Sequence, residues 1–126
     1  MNNILKEIAA HKRMEIEQLQ KVQTLDQVIE KINQGDILDF KAALSNEKSI
    51  NIIAEIKKAS PSQGMMKPDF DPATLARQYK AGGAPALSVL ADEKYFYGSF
   101  KYIQVAKKNS GLPVLCKEFI IDAYQI

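Results

Sequence analysis

Apolar residues recur at helical spacing through the first twenty positions: Ile4, Leu5, Ile8 and Ala9, then Ile16 and Leu19. This predicts an amphipathic helix with a charged outer face. A second helix is predicted from Leu25, Val28, Ile29 and Ile32, with Thr24 and Gln27 spaced as a capping box and Gly35 suited to its C-terminal end. The stretch "DILDFKAALS" predicts a short helical approach to the first strand. From Ser49 onward the pattern changes, and short apolar runs alternate with helical ones, as in strand–helix units of a parallel sheet. The first strand is "INIIAEIK"; its helix opens at Asp71-Pro72 and stops near Gly82-Gly83. The second strand is "PALSVLA", followed by a helix from Ser99 that Asn109-Ser110-Gly111 ends; the third strand is "PVLCKEF".

Asp122 reads as the N-cap of a third helix that has barely begun at Ile126. A parallel strand without its crossover helix is uncovered on one face and unpaired at its edge. The expectation is therefore an α/β chain holding the truncated front portion of a larger barrel or open sheet. Its division would be a helical extension over residues 1–48 and three strands over 49–126.

Charge and composition narrow the function classes. The 126 residues are 46% hydrophobic and 25% charged, ordinary for one globular domain. A formal net charge of +2, spread along the chain, argues against nucleic acid as a partner. The N-terminus is polar every few residues, which argues against a signal peptide or membrane span and for a cytoplasmic protein. The single cysteine, Cys116, permits no internal disulfide; between apolar neighbours it is expected to be a small buried hydrophobe. His11 has no partner at metal-ligand spacing and reads as a surface residue, so no metal site is expected.

Candidate chemistry gathers at strand ends. Side chains alternate along a strand, so Ile53, Glu55 and Lys57 share one face, Glu55 and Lys57 being roughly 6.6 Å apart along it. Desolvating these charges costs several kcal/mol as an order of magnitude unless they are paired or reach a wet cavity. Lys117 repeats the arrangement at the end of the third strand. In parallel α/β folds the C-terminal strand ends carry the active site; the plainer alternative is that the lysines reach solvent and Glu55 neutralises one of them. The connection "KASPSQGMMKPDFDP" is long for a strand–helix loop, as lids and binding segments are. Ser60 and Ser62 suit either an anion or a simple turn, and Met65 and Met66 either an apolar ring or ordinary packing. Tyr95, Phe96 and Tyr97 in "ADEKYFYGS" suit a planar anionic ligand or a hydrophobic plug.

"IIAEIKKASPSQG", "FDPATLARQYKAGGAPALSVLADEKYFYGS" and "PVLCKEFIIDAYQI" together resemble the indole-3-glycerol-phosphate synthase family, and "ILKEIAAHKRMEIE" and "DFKAAL" resemble its N-terminal helical extension. The resemblance implies a TIM (β/α)8 barrel of which this chain holds the first three β/α units. It also implies a phosphorylated, anthranilate-derived small-molecule substrate, 1-(2-carboxyphenylamino)-1-deoxyribulose 5-phosphate, closed to an indole with loss of carbon dioxide and water and with no cofactor. By that resemblance Lys117 is the general acid, Lys57 binds the carboxylate and assists dehydration, and Glu55 holds both. Ser60, Pro61, Phe96 and Phe119 line the ring pocket. The family's carboxylate on the fourth strand, its later Asn and its phosphate-binding loops have no counterpart here. The chain alone is accordingly expected to be inactive, and to pair with a C-terminal part. The competing expectation is a non-catalytic module that self-associates through exposed strand edges.

Overall fold

The computed structural model describes residues 3–32, 35 and 37–126. By contacts the chain divides into two units, Met1–Asp36 with Phe119–Ile126, and Ile37–Glu118.

In the first unit, helix α1 (Ile4–Val22) starts where the Asn3 side chain accepts the Leu5 N–H. Ile8, Lys12 and Ile16 are its buried residues, spaced four apart and so on one face. Leu5 and Leu19 remain exposed, so the apolar stripe is narrower than the sequence implies. The buried Lys12 is unexpected on a charged helix; its ammonium lies 2.8 Å from Glu15, and His11 meets the same carboxylate at 2.9 Å. Helix α2 (Leu25–Glu30) has the full Thr24–Gln27 capping box, with both reciprocal hydrogen bonds made. It stops at Lys31, before Gly35. Asp122 does cap a helical segment, but only a single 3-10 turn, Ala123–Gln125. The Tyr124 hydroxyl donates to the Gln23 carbonyl at 2.8 Å, joining this turn to the end of α1.

The second unit opens with α3 (Phe40–Ala43), capped by Asp39; Asp36 of the expected approach helix lies outside the described residues. Strand β1 (Ile53–Ile56) is shorter than the sequence suggests, with Ile50 and Ile52 exposed before it. A small antiparallel hairpin follows, β2 (Ala59–Ser60) with β3 (Gly64–Met65). Next come α4 (Pro72–Ala81), β4 (Ala86–Leu90), the four-residue helix α5 (Glu93–Phe96), α6 (Phe100–Ser110) and β5 (Val114–Lys117). Asp71 caps α4 with Pro72 at its first position, Ser99 caps α6, and Gly111 ends α6 in the left-handed conformation, as the turn chemistry requires.

Strands β1, β4 and β5 form one parallel sheet in that order, with β4 central and wholly buried. The fold is thus mixed α/β with a parallel sheet. Helices α4 and α6 pack on each other and on the strands. Their core joins Ile56, Leu75, Ala76, Leu87, Val89 and Ala106, with Ala54 and Val114 packed against it. Cys116 corrects one expectation: it is exposed, because β5 is the edge of this sheet and carries no neighbour on its outer side among the described residues. Partial desolvation, and secondarily the charge of Glu118, push its thiol pKa up.

Candidate active site

The register decides which side chains meet. Across the sheet Glu55 stands opposite Ser88, and Ser88 opposite Leu115; one row on in the C-terminal direction, Leu90 stands opposite Lys117. The core takes Ala54, Ile56, Leu87 and Val89, so alternation turns Glu55, Ser88, Leu115 and Lys117 to the other face. Lys57, two residues beyond Glu55 and just past β1, follows the same side. Ser88 is small, which keeps the row low between the two charged strands.

Two ammonium groups converge on one carboxylate. Lys117 Nζ donates to Glu55 Oε2 at 2.6 Å, and Lys57 Nζ lies 3.4 Å from Oε1. The cluster keeps one net positive charge, two lysines less one glutamate. Burial alone would raise the Glu55 carboxyl, but the Lys117 hydrogen bond, then the charges of Lys117 and Lys57, outweigh it and hold the group below its ordinary value. Lys57 is the more enclosed lysine, its side chain 29% exposed; Lys117 is 52% exposed and the more open to an arriving ligand. The charges at the strand ends are therefore neither solitary nor fully neutralised. Such an arrangement can hold a carboxylate and present an N–H to a developing oxyanion.

The remaining sequence candidates divide. Ser60 is buried in the hairpin, where its hydroxyl accepts the Gln63 N–H at 3.2 Å and lies 3.4 Å from the Ser62 hydroxyl, a turn role. Pro61 is exposed at the hairpin tip, and Met65 and Met66 are exposed beyond it. Phe96 is half-buried on α5, which packs beside β2 and so near Ser60. Phe119 lies in the other unit, where its carbonyl accepts from Gln125. Of the neighbouring lysines, Lys58 lies over the Phe70 ring and Lys94 over Tyr95.

Three residues escaped the sequence reading. Ser88 is visible only through register. Asp92 looked like any acidic loop residue but is fully buried, capping α5 through the Tyr95 and Phe96 N–H groups. Gly98 carries no local signal in "ADEKYFYGS" of its close approach to the end of β4, whereas Asp92 just after a strand is a legible cap signal.

A groove of 540 Å³ opens at the other end of the strands, lined by Ile50, Ile52, Ile53, Tyr79, Gly82 and Gly83 among others. It borders the starts of β1 and β4, not the ends that carry the lysines, and in parallel α/β folds that end serves stability. Glu55 is also among its lining residues, and its carbonyl accepts the Tyr79 hydroxyl at 3.1 Å. Among the described residues no group of His, Cys, Asp and Glu could hold a metal ion, and no helix is long and apolar enough to cross a membrane.

Fold and site together define an α/β protein of parallel strand–helix units with a lysine–glutamate cluster at the C-terminal ends of its strands. A family model described as indole-3-glycerol phosphate synthase matches residues 5–126, and the chain belongs to that family. It is 46% identical over 126 residues to an indole-3-glycerol phosphate synthase of Prochlorococcus marinus (strain AS9601), covering 98% of this chain and 43% of the relative. A protein of the same name from Legionella pneumophila (strain Lens) is 48% identical, with 100% of this chain and 48% of the relative covered. One from Microcystis aeruginosa is 47% identical, with 98% and 43% covered. The chain thus spans a little under half the length of the curated relatives it matches.

Proposed function

We propose that this chain supplies one side of the active site of an indole-3-glycerol phosphate synthase, a lyase of tryptophan biosynthesis. The observation that carries the proposal is the meeting of Lys57 and Lys117 on the Glu55 carboxylate at the C-terminal strand ends. The parallel sheet with its covering helices supports reading the whole protein as a (β/α)8 barrel, with residues 1–48 as an N-terminal extension. The substrate, 1-(2-carboxyphenylamino)-1-deoxyribulose 5-phosphate, carries a carboxylate at one end and a phosphate at the other.

Lys57, the more enclosed lysine, holds the ring carboxylate. Lys117 gives a proton to the substrate carbonyl oxygen as the ring carbon bonds to the carbonyl carbon; carbon dioxide and then water leave, so the overall reaction is redox-neutral. Glu55 holds both ammonium groups in place, which is the preorganisation such a step needs. Ser60, Pro61 and Phe96 are proposed as the second unit's part of the wall around the ring. The test is appearance of the fluorescent indole product from that substrate in the complete protein; no product at any concentration rejects the reading.

A second reading is favoured by the sheet edges. β1 and β5 have no strand partner on their outer sides within the described sheet, and Ile50, Ile52, Ile53 and Leu115 are exposed. Such edges pair with other strands, so the chain would act as a non-catalytic partial-barrel module that self-associates through them. Sedimentation of the 126 residues over a range of concentrations separates the two: a monomer throughout rejects this alternative.

A further inference from the structure

The segment between β4 and α6 is closed on itself more tightly than a connecting loop requires. Asp92 is 0% exposed, and its Oδ1 accepts the Tyr95 N–H at 2.7 Å and the Phe96 N–H at 3.2 Å. Its carbonyl accepts the Gly98 N–H at 2.7 Å, so one residue holds the segment at both its start and its end. Tyr97 between them takes the left-handed conformation, φ 51, which turns the chain back.

Gly98 then passes directly over the end of β4. A Cβ there would lie 2.3 Å from the Leu90 carbonyl oxygen, 2.7 Å from its carbon and 2.9 Å from the Ala91 carbonyl carbon, all backbone atoms of a buried strand end that cannot give way. The Leu90–Ala91 peptide it presses on also carries the Ala91 N–H that donates to the Lys117 carbonyl at 3.0 Å. One backbone point thus anchors both Lys117 and the segment bearing Phe96.

From this geometry we infer that Asp92 and Gly98 are positioning residues that fix Phe96 relative to Lys117, and so set the fit of the substrate's aromatic ring. The inference rests on the proposed reaction for its substrate. The Asp92 side chain holds the Tyr95 and Phe96 N–H groups of α5, so its loss loosens the ring wall while the backbone anchor at Lys117 stays in place. Gly98 acts on the shared anchor, so a side chain there disturbs both.

Steady-state kinetics of the complete protein test this. Asp92→Ala is expected to raise KM about tenfold or more with kcat within about twofold, and Asp92→Asn, which keeps an acceptor oxygen, to restore most of the loss. Gly98→Ala is expected to raise KM and lower kcat together. An unchanged KM in folded Asp92→Ala, or a loss that Asp92→Asn does not rescue, overturns the inference. Should Asp92→Ala not fold, Asp92→Ser replaces it, with an intermediate KM expected and an unchanged KM overturning the inference. If the parent protein makes no indole, the reaction is what fails. The clamp is then read from 4-fluorophenylalanine at position 96 by fluorine NMR: a broadened or displaced line in the Asp92 variant supports it, and an identical line overturns it.

Discussion

Glu55 is the residue on which the candidate site turns, because each of its oxygens meets a different lysine. Lys117 is more than half exposed, so its ion pair contributes little to folding, about 1 kcal/mol or less. Its removal should therefore separate chemistry from stability. Lys117→Ala in the complete protein is expected to lower kcat by a factor of about 10² to 10⁴, with a thermal midpoint close to the parent's; an unchanged kcat takes the acid role away from it. The carboxylate has its own signature in acid. Its folded pKa lies below the ordinary 4.5, so on acidification the unfolded chain takes up the proton first. The stability it contributes is present in full above that ordinary value and is lost as pH falls through the lower, folded one. Glu55→Gln should flatten this part of the acid limb, by no more than about 1 kcal/mol after solvent screening, measured by urea unfolding at pH 3 to 7.

Among the elements, the helices are set by their ends. Asp71 caps α4 through the Ala73 and Thr74 N–H groups, and the Thr74 hydroxyl donates to it as well. Thr74 in turn accepts from Arg77, whose other arm reaches Asn109 at the end of α6. Asp71→Ala is expected to cost about 1 kcal/mol, read as a lower midpoint in urea. Gly111 closes α6 at φ 66, and a Cβ there would meet the Lys80 ammonium at an ordinary 3.5 Å. Space is available, so the penalty of Gly111→Ala is that of the left-handed backbone, again about 1 kcal/mol. These ends were legible in the sequence because a cap is a local contract between residues a few positions apart. The hairpin of β2 and β3 was not, since two residues per strand leave no periodicity, and α5 is equally short.

At the scale of the molecule, β4 is the member that the second unit is built around. Leu87 and Val89 face the helices and are fully buried, while Ser88 between them faces the lysine side. Leu87→Ala is expected to cost about 2 to 5 kcal/mol, enough to unfold the unit under mild denaturant; a loss below 1 kcal/mol would mean that the core closes around the gap. The strand–helix alternation, the caps of α2, α4 and α6, and the placing of Lys57 and Lys117 near strand ends were determined by the sequence alone, because they depend on neighbours within a turn or two. The burial of Lys12 and Asp92, the exposure of Cys116, and the bond between Glu55 and Lys117 across 62 residues were decided only by the tertiary structure. Register sets which side chains face one another, and register follows from how whole strands pack, which no local pattern contains.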